Sequence, residues 1–329
     1  MHWPQELGKR ILNGLRPLSF VFDILISPLT LLAVIWFRIA RYWGVKRLFL
    51  TKNIFLKLGM FPIVDHYYDP LFNYQKISIK SNASTSNLAL DAQKQLGLIK
   101  QFSYAQELQK MPLHSASEST YYYKNGSFGS GDAELYYSII RKFKPRKILE
   151  IGSGFSTRLA LTAIQKNKET DLHYECSITC IEPYEMPWLE KLDVNLIRRK
   201  VEEMEVGLFS KLDDGDILFV DSSHIIRPGG DVVFLILHVL PQLKKGVWVH
   251  FHDIFTPSDY PKAWLKEEFR MWNEQYLLEA FLLNNPSFEV VAALNYLNSN
   301  HKQEMIDVFP VLAMDKDREP GSFWIRKID

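Results

Sequence analysis

Cysteine is nearly absent from this chain of 329 residues, which holds only Cys176 and Cys180. Both lie at the approach to an apolar run, so a disulfide-stapled fold is excluded and a reducing compartment is expected. Neither suggests a metal site. An excess of one charge is also lacking, since 39 Lys/Arg against 38 Asp/Glu leave a net charge of +1. That balance hides a division. Residues 1–60 carry nine Lys/Arg and two Asp/Glu, a net of +7, which leaves −6 for the remainder. The larger part therefore lacks the basic stripe with which a protein tracks phosphates, and nucleic acid is not expected as a partner. Internal repeats and low-complexity tracts are missing, and with 47% hydrophobic and 13% aromatic residues the chain is expected to fill a substantial core.

The basic N-terminal part also holds the longest apolar stretch. Residues 17–37, PLSFVFDILISPLTLLAVIWF, are interrupted by Asp23 and Pro28, and the uncharged run within them, 24–37, is 14 residues long. A spanning helix takes about 20 predominantly apolar residues, whereas runs of roughly 10–14 more often lie in the interface or re-enter it. Basic and aromatic side chains follow together: Arg38, Arg41, Tyr42, Trp43, Lys46, Arg47, Phe49, Lys52 and Lys57. This composition suits a segment resting on anionic headgroups. Residues 1–58 are therefore expected to associate with a membrane, as a monotopic or kinked-hairpin insertion in preference to a single span. The other reading is a buried helix with a solvated basic face. No small-x-small cleavage site follows, so a cleaved signal peptide fits poorly. The heavier Lys/Arg load after the apolar run puts the remaining chain on the cytoplasmic side.

Residues 59–130 read as a connector with helical spacing at 87–110, a loop at 81–86 and aromatic clusters at both ends. The stretch 128–132, FGSGD, is expected to be flexible enough to act as a lid or substrate wall.

The centre of the chain is 146–156, RKILEIGSGFS: a short apolar strand containing Glu150, a Gly152-Ser153-Gly154 turn, and a helix signal over 157–166. Positions without a Cβ let a nucleotide-like ligand approach the backbone, and the helix beyond points free N–H groups at it. From residue 131 on, strand and helix signals alternate, as in a parallel sheet with crossover helices. Strands are predicted at 147–151, 177–181, 195–199, 216–220, 246–251, 288–294 and 322–328. Helices are predicted at 134–143, 157–166 and 231–240, with a long one over about 261–283.

The pattern hydrophobic-hydrophobic-Glu-hydrophobic-Gly-x-Gly, with Ser156 where a third glycine is usual, resembles the first motif of the class I methyltransferases that use S-adenosylmethionine. The strand and helix count over 131–329 is similar to theirs. The closest likeness is to bacterial small-molecule and sugar O-methyltransferases. The resemblance implies a Rossmann-like α/β fold: a seven-stranded, mostly parallel sheet with the last strand antiparallel and helices on both faces. It also implies S-adenosylmethionine as cofactor, held around Glu150, Gly152, Ser153, Gly154, Phe155, Glu182 and Asp221. In that family an acid such as Glu182, closing the second strand, accepts hydrogen bonds from both ribose hydroxyls. Glu150 either contacts the cofactor or braces the turn.

Asp221 and His224 follow the fourth strand, and His252 and Asp253 the fifth, at the carboxyl ends where ligands of open α/β sheets bind. In metal-dependent relatives acids at these places hold magnesium. Here Asp221 and Asp253 match the acids, but His252 departs from the pattern and suits a softer ion. A divalent ion on Asp221, Asp253 and His252 is one expectation. The other is that His252 beside Asp253, or His224 after Asp221, removes the proton of an attacking hydroxyl. The loop 255–261 is a further substrate candidate, while Trp272 and Tyr276, four apart on the predicted long helix, read as core. Together these features suggest methyl transfer to a hydroxyl of a small molecule, sugar or lipid-linked precursor at a membrane surface. A non-catalytic membrane-bound adaptor with a retained nucleotide pocket, or another reaction at the same cofactor site, are the alternatives.

Overall fold

A computed structural model describes residues 19–65, 69–71, 87–115, 117, 120–184 and 186–329. The loop expected at 81–86 and residues 1–18 of the proposed membrane region lie outside these. The chain divides into two units, Met1–Ile77 and Ser78–Asp329.

In the first unit, Ser19–Trp43 is one helix of 25 residues that continues through Pro28. A hairpin kinked at Pro28 is therefore not formed. At about 1.5 Å per residue the helix is long and apolar enough to cross a bilayer, and Phe20, Leu25, Leu29 and Leu32 along it are exposed. Gly44 takes a positive φ and turns the chain into a second helix, Phe49–Leu58, which ends at Gly59 in the left-handed conformation. Phe55 anchors this helix by packing edge-on to Phe37 and Phe61, with ring centroids 5.3 and 6.2 Å away. Arg41 grips Asp69 through both carboxylate oxygens at 2.6 and 2.8 Å. Leu50, Ile54 and Leu58, spaced i, i+4, i+8, are left exposed.

The second unit is built on a seven-stranded sheet: β1 (Lys147–Ile151), β2 (Ser177–Ile181), β3 (Asn195–Ile197), β4 (Ile217–Val220), β5 (Trp248–Phe251), β6 (Phe288–Ala293) and β7 (Phe323–Lys327). Their spatial order is β3-β2-β1-β4-β5-β7-β6. The first five are parallel, and β7 runs antiparallel to both β5 and β6. This is the sheet expected from the strand signals. Alternation of side chains sorts the strands into two cores. Ile148, Ile178, Ile217, Phe219 and Trp324 pack on one face with Leu159, Ala160 and Ala163 of the helix Phe155–Thr170. Leu149, Ile151, Leu218, Val220 and Phe251 pack on the other with Leu235, Val239 and Leu278.

Three features differ from the sequence-based expectation. The segment 92–130 is not merely a connector: Leu96, Ile99, Leu108, Tyr121 and Phe128 belong to the first core. Phe128 is not on a flexible lid. Its carbonyl accepts hydrogen bonds from the Tyr121 hydroxyl at 2.7 Å and the Asn125 amide at 2.9 Å, and its ring packs on Phe219 and His252. The long helix over 261–283 is two short ones, Lys262–Lys266 and Glu274–Leu282. Between them Phe269 takes a positive φ, and the Arg270 guanidinium sits 4.3 and 4.4 Å from the ring centres of Trp264 and Trp272. Trp272 therefore precedes the helix that carries Tyr276, and the two do not share a helical face.

Candidate active site

β1 and β4 are adjacent, so the turn after β1 and the loop after β4 meet at one end of the sheet. The Asp221 N–H donates to Ile151 O at 2.9 Å, and the His252 N–H to Val220 O at 2.9 Å. These bonds step Gly152, Asp221 and His252 along one edge. Gly152 has φ +75°, and a Cβ there would fall 1.8 Å from the Asp221 carbonyl oxygen. Its lack of a side chain is thus a demand of the fold. Gly154 is extended, and a Cβ there would meet no atom within 4 Å. Of the two glycines, Gly154 is the one that borders open space.

Beneath the turn lies Glu150, fully buried. Thr157 donates its hydroxyl to one Glu150 carboxylate oxygen and accepts the Gly154 N–H at 3.1 Å, so this acid shapes the turn. Burial pushes the Glu150 carboxyl up to about 7 against the hydrogen bonds it accepts. As an even-numbered residue of β1 it points under the helix Phe155–Thr170, and it is not among the cavity-lining residues. Expected as a possible cofactor contact, Glu150 instead takes its bracing role.

A cavity of about 600 Å³ opens above the turn. Gly152, Ser153, Gly154, Phe155, Ser156, Glu182 and Asp221 all line it, as do Ser127 and Phe128. Phe155 is fixed by edge contacts with Tyr122 at 5.2 Å and Trp188 at 5.8 Å. Glu182 is 8% exposed at the end of β2, and one carboxylate oxygen accepts the Tyr184 N–H at 2.9 Å.

Asp221, His224, His252 and Asp253 come together, and of these four Asp221 lines the cavity. His252 Nδ1 is 3.6 Å from Asp221 Oδ1 and 3.4 Å from Asp253 Oδ1, while His224 Nε2 is 3.3 Å from Asp221 Oδ1 and 4.0 Å from Asp253 Oδ2. Asp221, His252 and Asp253 each present one donor atom within 4.8 Å of the others. Separations of 3.4–3.6 Å are long for hydrogen bonds. They are near the roughly 3–3.5 Å expected between donors each about 2.1 Å from one small divalent ion. The donor set therefore fits such a cation. His224 and Asp253 both hold positive φ, +60° and +57°, a conformation seldom adopted without glycine and concentrated at functional sites.

The charges are strongly coupled. Burial disfavours a charged imidazole at His224, but Asp221 and Glu274 outweigh it and raise its pKa to about 10. His252 is likewise raised, against burial, by Asp253 and Asp221. Burial opposes ionisation of Asp221 and Asp253, yet the histidines lower both acids. His250, on the same face of β5 as His252 with ring centroids 5.9 Å apart, is fully buried and shifted down by desolvation, with Nε2 2.9 Å from the Ser322 hydroxyl.

Sequence reading missed two partners of His224. Its Nδ1 lies 2.8 Å from Glu274 Oε2, and its ring meets Trp272 at 4.2 Å between centroids. A separation of 50 residues and the assumed continuous helix concealed both. A histidine three residues after a strand-end acid was the only local signal.

Residues 149–254 match a family model described as a methyltransferase domain. An uncharacterized protein of Archaeoglobus fulgidus is 26% identical over 186 residues, which cover 52% of this chain and 82% of that protein. Among solved structures, an O-methyltransferase from Bacillus cereus in complex with SAH is 12% identical, covering 74% of this chain and 93% of that one, with a TM-score of 0.35. At that score the superposition adds nothing to the fold, which rests on strand order.

Proposed function

We propose, for a chain that carries a class I S-adenosylmethionine-dependent methyltransferase domain, that it methylates a hydroxyl of a sugar, lipid-linked precursor or other small molecule at a membrane surface. The observation that carries this reading is continuity: one cavity runs from the Gly152–Ser156 turn and Glu182 to Asp221, which is shared by the histidine and carboxylate cluster. Bound in this cavity, the cofactor would supply a methyl group on a positively charged sulfur. Glu182 suits its ribose diol, Gly154 leaves room for close backbone approach, and Phe155 forms a wall. Ser153 lines the same cavity.

Methyl transfer is an in-line displacement, so the chain's main tasks are to hold an acceptor oxygen in line and to take its proton. Asp221, His252 and Asp253 are assigned to a divalent cation and His224 to the proton. A cation held by these residues would polarise an acceptor hydroxyl and offset the negative charge that keeps His224 protonated. His224 Nε2 faces Asp221 and Asp253, so the proton leaves toward the buried side of the cluster. Trp272, tilted against His224 at 4.2 Å between ring centroids, and the half-buried residues 257–259 would form an apolar and hydrogen-bonding wall for a sugar-like acceptor.

Membrane association is supported by the apolar Ser19–Trp43 helix and by the exposed Leu50, Ile54 and Leu58 stripe flanked by Lys46, Arg47, Lys52 and Lys57. The test is turnover by the full chain with methyl-labelled S-adenosylmethionine, divalent cation and lipid-linked or free glycans. A labelled acceptor formed together with S-adenosylhomocysteine supports the reading. An absence of turnover with every acceptor, combined with cellular activity that survives loss of His224, His252 and Asp253, would favour an adaptor.

A further inference from the structure

The loop that follows β4 is tied to the start of the helix Glu274–Leu282 by a set of bonds that converge on one side chain. The His224 carbonyl accepts the N–H groups of Asn273 at 3.0 Å and Glu274 at 3.2 Å. The Asn273 side-chain oxygen accepts the Ile226 N–H at 2.6 Å. Glu274 is 1% exposed. One of its oxygens accepts the Ser222 hydroxyl at 3.1 Å, and the other lies 2.8 Å from His224 Nδ1. Trp272 covers the imidazole face. Four of these contacts fall on His224 itself, two on its carbonyl and two on its ring, and so fix a histidine whose backbone sits at positive φ, a conformation that persists only where the surroundings over-determine it.

The two ring nitrogens are not equivalent. Nδ1 faces a buried carboxylate whose side-chain hydrogen bonds are to the Ser222 hydroxyl and to this nitrogen. Nε2 faces Asp221, which lines the cavity, and Asp253 at the longer distances of 3.3 and 4.0 Å. A carboxylate only accepts hydrogen bonds, so Nδ1 donates to Glu274 at 2.8 Å, and the looser 3.3 Å contact of Nε2 with Asp221 leaves Nε2 as the nitrogen that can exchange a proton with the site.

We propose that Glu274 is a positioning residue that fixes the tautomer and orientation of His224, so that Nε2 is presented to the acceptor hydroxyl. This inference rests on the assignment of His224 as proton acceptor. The geometry is that of an acid holding a histidine from behind, with the acid supplied by a helix remote in sequence.

The test is nuclear magnetic resonance of the full chain labelled with ¹⁵N at histidine, with the His224 signals identified by their loss in His224→Gln. A hydrogen-bonded Nδ1 proton in slow exchange with water is expected in the wild type. It should disappear in Glu274→Ala, persist in Glu274→Gln, whose amide oxygen still accepts, and exchange faster in Ser222→Ala, which keeps the acid but loosens it. Should Glu274→Ala fail to fold, Ser222→Ala carries the same test. S-adenosylmethionine affinity should stay within about twofold in both Glu274 variants, while kcat falls about 10- to 100-fold in Glu274→Ala at unchanged acceptor KM and is largely restored in Glu274→Gln. A wild-type ring protonated only on Nε2, a persistent slow Nδ1 proton in Glu274→Ala, or an unchanged kcat in Glu274→Ala would overturn the proposal. Failure of the chain to bind S-adenosylmethionine would instead remove the methyltransferase reading and leave the His224–Glu274 signature as it is.

Discussion

Two glycines in one turn are expected to respond to the same substitution in opposite ways. In Gly152→Ala the new methyl would meet the Asp221 carbonyl oxygen at 1.8 Å, so β1 and β4 must part by more than about 1 Å at that point. The left-handed conformation adds about 1–2 kcal/mol for a residue with a Cβ. The displaced backbone also carries the Asp221 N–H bond to Ile151, worth about 1 kcal/mol. These two terms sum to roughly 2–3 kcal/mol, and parting the strands adds to them, a large effect for a single methyl group. In Gly154→Ala the backbone is already extended and the methyl meets nothing, so stability should change by less than about 0.5 kcal/mol. That methyl enters the space assigned to the ligand, and S-adenosylmethionine affinity should fall at least about tenfold, or 1.4 kcal/mol. Urea unfolding and calorimetric titration on both variants separate the effects. A Gly154→Ala protein that binds like wild type would refute the placement of the ligand against this turn. An undiminished stability in Gly152→Ala would refute the close approach of β1 and β4.

Other outcomes follow from charge. The folded pKa of His224 is raised above its ordinary value of 6.5 to about 10, so the stability it contributes is full below pH 6.5 and is lost as pH rises through about 10. Urea unfolding in chelator across pH 6.5–10 should show this decline, and His224→Gln should flatten it; parallel curves would contradict the assigned ion pairs. Co-sedimentation should show tighter binding to anionic than to zwitterionic vesicles. Replacing Lys46, Arg47, Lys52 and Lys57 by Gln should remove about 1 kcal/mol of that preference per charge, and an unchanged preference would place these residues away from the headgroups.

Much of this arrangement was legible in the sequence, for a local reason. Strand alternation and the glycine turn are short-range patterns, and they located β1 and β2 to the residue as well as the strand ends where Glu182, Asp221, His252 and Asp253 stand. The helices between β6 and β7 escaped notice. They are pinned by Glu134, which read only as the beginning of a helix, yet its carboxylate accepts the Gly131, Val311 and Leu312 N–H groups at 3.0, 2.8 and 2.9 Å. Glu274 escaped for the same reason. A partner 50 or 177 residues away leaves no periodicity behind. The apparent long helix over 261–283 shows the converse error, since helical spacing persists across 267–273 while the backbone leaves the helix there, with Phe269 at positive φ.

The cofactor is the central claim, and calorimetric titration of the full chain with S-adenosylmethionine tests it most directly, with Glu182→Ala and a sample stripped of divalent metal measured alongside. Loss of two charge-assisted hydrogen bonds to a ribose should weaken binding by roughly 3 kcal/mol, about 100-fold, in Glu182→Ala. The metal-stripped sample should keep its cofactor affinity, because Asp221, His252 and Asp253 are assigned to the acceptor side. A folded protein that does not bind, or a Glu182→Ala variant that binds as tightly as wild type, would contradict the account.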